Sequence, residues 1–132
     1  MQGIIDRQME YVRSKFPLAT CAEVGNGTHL VTIPNFPLPT EGPEYGRYNK
    51  PTTTVCFLLP VGYPMACPAY FWTEGDLTLN SGGIPTCTDR RISPGVPEGM
   101  MWWSWHLNGW SPNRDQIHTY VMSIKQRLWE AR

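Results

Sequence analysis

The chain carries no surplus of charge. Its 11 Lys and Arg residues are balanced by 11 Asp and Glu. No cationic excess is therefore available to displace counterions from a polyanion, and nucleic acid is excluded as a partner held by bulk electrostatics. A small basic group near the C-terminus (Lys125, Arg127, Arg132) is read as complementing a helix dipole. No apolar run approaches membrane-spanning length, so no membrane partner is expected. Met1 to Lys15 lacks the apolar core of a secretion signal, and the expected compartment is the cytoplasm. Metal-ligand spacing is missing as well. Cys21, Cys56, Cys67 and Cys87 sit at wide, irregular intervals, with no CxxC and no histidine at a zinc-site distance from any of them. Without a secretion signal these are expected to be free thiols. For the same reason Asn26-Gly27-Thr28 reads as a turn and not as a glycosylation site.

What is present is punctuation and pattern. The 132 residues, with 13 prolines and 12 glycines, suffice for one domain spanning 1–132 with a core of its own. Ile5, Met9, Val12 and Phe16 form one helical stripe between Gly3 and Phe16, with Arg7, Gln8, Arg13 and Ser14 off it, and Pro17 stops the helix. His29 to Ile33 reads as a strand ended by Pro34. Pro34, Pro37, Pro39, Gly42 and Pro43 then mark a long connection. Thr52 to Leu59 is the strongest strand signal, β-branched and then apolar. Tyr70-Phe71-Trp72 and Asp76 to Leu79 read as shorter strand pieces. Gly82 to Gly99 is dense in Gly and Pro and reads as a long loop, a place where function concentrates. Ser111-Pro112 gives an N-cap and a first helical proline. Ile117, Tyr120, Val121, Ile124 and Leu128 then recur at helical spacing. The order predicts an α+β domain with its helices outside the sheet.

Two motifs go beyond pattern. Phe57 to Pro68, containing Tyr63-Pro64-Met65-Ala66-Cys67-Pro68, resembles the strand and Tyr-Pro-x-x-x-Pro turn of the ubiquitin-conjugating superfamily. Trp110-Ser111-Pro112 resembles the Trp-Ser-Pro that opens the helix after the active site in those enzymes. Trp105-His106-Leu107, followed by Trp110 and a helix carrying Asp115, Ile117 and Tyr120, is most similar to the bacterial branch, prokaryotic family E. The resemblance covers residues 50 to 128 by motif. It implies a UBC-like fold: N-terminal helix, antiparallel β-meander, long active-site loop, C-terminal helix. It further implies a carrier of a ubiquitin-like protein, loaded by an activating enzyme and acting on a protein target. No cofactor is implied, because upstream adenylation supplies the energy. The bacterial relatives also suggest a part in antiphage defence.

The chain departs from the family at its active site. The His-Pro-Asn signature is absent. Leu79-Asn80-Ser81 is the nearest stand-in, and by resemblance Asn80 organises the site or stabilises the oxyanion. The family's cysteine lies about eight residues before the Trp-Ser-Pro, and none is found there. Two nucleophiles remain. Counting forward from Tyr63-Pro64 places Cys87 at the family's cysteine, which would carry a thioester, with Arg90 and Arg91 able to activate it if they fold back. Counting backward from Trp110 places Ser104 there. In a strand Ser104 and His106 share one face, with Trp103 and Trp105 on the other. His106 would then act as general base and the carrier would be an oxyester. The serine is preferred, because it joins a nucleophile, a base and a helix start within a few residues. Each has a structural alternative: Cys87 as a plain loop thiol, Ser104 as a packed strand residue beside a histidine satisfied by a backbone carbonyl, and the tryptophans as core. His29 in its strand and His118 at the surface of the last helix have no nucleophile nearby. Asp89 and Glu98 read as solvated loop charges.

An active conjugating carrier is thus the leading expectation. An inactive module of the same fold, like RWD domains, binding a ubiquitin-like protein non-covalently is the alternative. An unrelated α+β domain with coincident motifs is the third.

Overall fold

A computed structural model of the chain describes residues 3–39 and 46–132; Gly42 and Pro43 of the long connection lie outside the described residues. The order is α1 (Ile4–Lys15), β1 (Thr20–Gly25), β2 (Thr28–Pro37), β3 (Thr52–Leu59), β4 (Ala69–Thr73), β5 (Thr88–Asp89), β6 (Met101–His106) and α2 (Ile117–Trp129). The strands form one antiparallel sheet in the order β1-β2-β3-β4-β6-β5. This is the α+β, UBC-like arrangement that the resemblance implies. No helix among the described residues is long and apolar enough to cross a membrane.

The apolar periodicities found their places. Met9 and Val12 are buried on α1, and Ile117, Tyr120, Val121, Ile124 and Leu128 are completely buried on α2. They pack on Val31, Ile33, Val55, Phe57, Leu59, Phe71 and Trp103 from the inner face of the sheet. Asn26-Gly27 is a turn with both residues at positive φ (52° and 77°), the two-residue geometry that matches the twist of a hairpin.

Four expectations are corrected. Pro34 does not end β2, because it falls in a bulge between Ile33 and Phe36 where the ladder needs no N–H from it. Asp76 to Leu79 is not a strand: Leu77 N–H closes a turn on the Glu74 carbonyl (3.2 Å), and Lys50 bridges Glu74 and Asp76. Leu79 keeps a single bridge to Tyr48. Ser111-Pro112 does not open α2. The Ser111 carbonyl and N–H instead close a lone turn with Asp115, and the helix starts after Gln116, which forms a capping box with Thr119. Gln8 is not on the polar side of α1 but buried.

The long loop contains the short strand β5, and the rest of it has a definite path. Val96 and Met100 pack on Cys56, Trp72 and Trp102 on the outer sheet face. Gly95 abuts Val24, so that a Cβ there would lie 2.6 Å from the valine Cβ. Residues 90–100 are therefore a strap crossing from the β5 edge to β1. Arg90 clips its base, donating to the carbonyls of Gly75 (2.6 Å) and Gly99 (3.4 Å). The Trp72 indole N–H holds the Arg91 carbonyl at 2.8 Å.

Candidate active site

The two motifs that define the resemblance meet in space. Trp110 donates its indole N–H to the Pro64 carbonyl at 2.8 Å, and the Tyr63 and Trp110 rings lie 6.0 Å apart. The buried Gln8 completes the corner. Its side-chain oxygen accepts from the Tyr63 hydroxyl and, at 2.9 Å, from the Ile117 N–H, joining α1, the proline turn and the start of α2. Asp115 accepts from Arg114 (2.9 Å) and from the Ser111 N–H (2.8 Å), and both hold its carboxyl below the usual range.

The four thiols are free but not equivalent. Burial pushes Cys21 up to about 11 and also raises Cys56. Cys67, beside the corner, is raised by burial and by the Asp115 charge. Each is thereby kept from the nucleophilic thiolate form. Cys87 is the exposed one.

Cys87 sits in a turn bound on every side. Its φ is +61°, a left-handed conformation that disfavours a non-glycine residue by roughly 1 kcal/mol or more. The carbonyl of Cys87 accepts the Ser104 N–H at 2.9 Å, so the two candidate nucleophiles face each other across the β5–β6 ladder. Before it, Thr86 donates its N–H (3.0 Å) and hydroxyl (3.2 Å) to the Arg132 carbonyl. After it, the Thr88 hydroxyl reaches back to Pro85 at 2.7 Å. A cavity of about 190 Å³ lined by Ile84, Thr88, Asp89, Arg90 and Met101 opens alongside.

Ser104 stands in different surroundings. Trp103 and Trp105 point to the helix side, where Trp103 donates to Thr73 (2.9 Å) and Trp105 to Ser123 (3.2 Å). On the opposite face Tyr70 touches both Trp102 (5.0 Å between centroids) and His106 (5.2 Å). Strand alternation puts Ser104 between those two residues on that face. Tyr70 reaches this position from a bulge at φ +65°, with its carbonyl held by the Tyr120 hydroxyl at 3.0 Å. Same-face neighbours on a strand stand roughly 6.6 Å apart. No hydrogen bond joins the Ser104 hydroxyl to His106 among the described residues, and His106 meets the edge of Tyr70 instead.

Asn80 is hydrogen-bonded to residues 46 and 47. Its side-chain amide donates to the Gly46 carbonyl (2.7 Å) and its N–H to Arg47 (2.5 Å), where it lines a cavity of about 340 Å³ with Tyr48, Asn49 and Lys50. The donor an oxyanion role requires is thus committed to ordering the backbone. Arg90 and Arg91 are committed elsewhere too: Arg90 to the strap's base, Arg91 to the Trp102 ring (4.1 Å) and to Asp89 (3.4 Å). His118 is half-buried against Tyr11 rather than at the surface.

Three residues at the site escaped sequence reasoning: Gln8, Tyr70 and Arg127. Arg127 left a signal, since it stands three residues after Ile124 on the apolar side of its helix. Gln8 borders the α1 stripe, three residues after Ile5 and four before Val12, but was read as off it. Tyr70 left none, because a left-handed tyrosine has no sequence signature.

The model of the Prokaryotic E2 family E matches residues 6–131 of the chain. No curated protein and no solved structure matches it.

Proposed function

The chain belongs to the Prokaryotic E2 family E, and we propose that residues 1–132 act as one ubiquitin-conjugating-like domain with Cys87 as its acyl-accepting nucleophile. The family supplies the coarse reading: a carrier in ubiquitin-like conjugation, with a ubiquitin-like protein and an activating enzyme as partners. The finer reading is that the Cys87 thiolate attacks the carbonyl of the thioester presented by the activating enzyme. A new sulfur–carbon bond forms and the enzyme's own thiolate leaves. An amine of a protein target then attacks the carrier thioester, forming an amide and releasing the Cys87 sulfur.

One observation carries this choice over Ser104. Cys87 is exposed on a left-handed turn held by hydrogen bonds from Ser104 and Arg127 and to Arg132 and Pro85, whereas the half-buried Ser104 has no hydrogen bond from its hydroxyl to His106 among the described residues. Strain retained at an exposed nucleophile is a common mark of a working site. Asn80, in this reading, organises the backbone around the site. The polar side of α1, with Arg7, Arg13 and Lys15, docks the activating enzyme. The Tyr63-Pro64 corner, where Val61 and Met65 are exposed, faces the carried protein and target.

A second reading keeps the fold and removes the chemistry: a module that binds a ubiquitin-like protein without loading it. The absence of a cysteine in register with Trp110 favours it. Incubation with the cognate activating enzyme, ubiquitin-like protein and ATP separates the readings on gels run with and without reductant. The expected adduct is removed by reductant, lost in Cys87→Ala and within about threefold of wild type in Ser104→Ala. An adduct that survives reductant but yields to hydroxylamine, and disappears in Ser104→Ala, would assign an oxyester on the serine. Co-elution without any adduct would support the binding module.

A further inference from the structure

Arg127 is 2% exposed, the most buried charged side chain among the described residues. Burying a cation is unfavourable by several kcal/mol unless it is paired and fully hydrogen-bonded. Among the described residues no carboxylate pairs with it in a salt bridge. Its guanidinium donates to backbone carbonyls instead: Glu130 at 2.9 Å, Thr86 at 2.8 Å and Arg132 at 3.2 Å, with a further contact to the Thr86 hydroxyl at 3.3 Å. The group lies against the Trp103 ring, 4.9 Å from its centroid. Trp103 is the residue that pairs with Thr88 in the sheet. The hydrogen-bond and ring partners of the guanidinium thus belong to the residues ending α2 or to the strand and turn flanking Cys87. Burial, helped by the Arg132 charge, pushes its pKa down, and Tyr48, Cys87 and Glu130 oppose that fall. An arginine remains charged in such surroundings.

We propose that Arg127 is a positioning residue for acyl transfer at Cys87: by gripping the Thr86 carbonyl and hydroxyl it fixes the left-handed turn that presents the thiol. An apolar side chain here would leave the Thr86, Glu130 and Arg132 carbonyls without these donors. A planar fork of five donors reaches three carbonyls and a hydroxyl from two separate nitrogens in fixed directions, which the compact ammonium of a lysine does not reproduce. The inference rests on Cys87 as the nucleophile.

The test is single-turnover and steady-state loading of the full chain, comparing wild type, Cys87→Ala, Arg127→Lys, Arg127→Met and Thr86→Val. Thr86→Val removes the hydroxyl with little change of shape and leaves the α2 core alone, so it remains informative if an Arg127 variant fails to fold. Both Arg127 variants are expected to lower kcat for thioester formation by about tenfold or more, with KM for the charged activating enzyme within about twofold. Thr86→Val is expected to lower kcat by about threefold, again with KM unmoved. Unfolding curves should show folded proteins. If loading is lost in Cys87→Ala while the Arg127 and Thr86 variants load at wild-type kcat, or lose only KM, the inference is wrong and the nucleophile assignment stands. If loading survives Cys87→Ala, both are wrong.

Discussion

The two faces of the sheet are covered in different ways. The inner face lies under α2, a regular amphipathic helix whose Ile117, Tyr120, Val121, Ile124 and Leu128 are completely buried. The outer face lies under the aperiodic strap of residues 90–100, which contributes only Val96 and Met100 to a small cluster with Cys56, Trp72 and Trp102. One face is a core and the other is a cover. The proposed nucleophile sits where the strap leaves the sheet edge, in a turn that the inner side ties down through Arg127. Rigidity is thus supplied from behind, while the thiol stays at the surface.

That contrast can be broken by mutation. Ile124→Ala should cost about 3 kcal/mol, because it opens a cavity in a helix–sheet core that cannot collapse. Val96→Ala, in the partly buried strap, should cost about 1 kcal/mol or less. Denaturant titration measures both; equal costs would show that the strap is as much core as α2. The smallest effect sharpens the inner side. His118 is half-buried beside Tyr11, and its Nδ1 is buried without a hydrogen-bond partner among the described residues. Burial, with a lesser contribution from the Lys15 charge, lowers its pKa below the usual 6.5. Between the folded and unfolded values the unfolded chain binds more protons, so stability falls as pH drops through about 6.5 and levels off below the folded value. Thermal melts across that window should show the decline in wild type and a flatter profile in His118→Gln. A decline of equal size in the variant would remove His118 from the account.

The helices and the central strands were legible because their side-chain periods match their burial. The Thr52 to Leu59 and Tyr70 to Trp72 segments became β3 and the centre of β4, and the α2 stripe is the buried face. Irregular features were not legible. β1 alternates weakly, with Cys21 and Val24 its half-buried members, and only the Asn26-Gly27 turn pointed to a hairpin there. Pro34 and Ser111-Pro112 were read by their usual meanings, as a strand stop and a helix start. A bulge and the Asp115 side chain, both tertiary in origin, set the boundaries elsewhere. At the site, spacing alone brought Ser104 and His106 onto one face. Whether they touch depended on Tyr70, which arrives from another strand. Counting from the two motifs gave two positions, Cys87 and Ser104. The β5–β6 register, with the Ser104 N–H on the Cys87 carbonyl, sets these two residues opposite each other.

The most direct measurement is peptide mapping by mass spectrometry of the loaded chain, trapped at low pH before transfer. The C-terminal residue of the ubiquitin-like protein should be found on the peptide containing Cys87. Its recovery on a peptide containing Ser104, or on none, would contradict the assignment on which the rest is built.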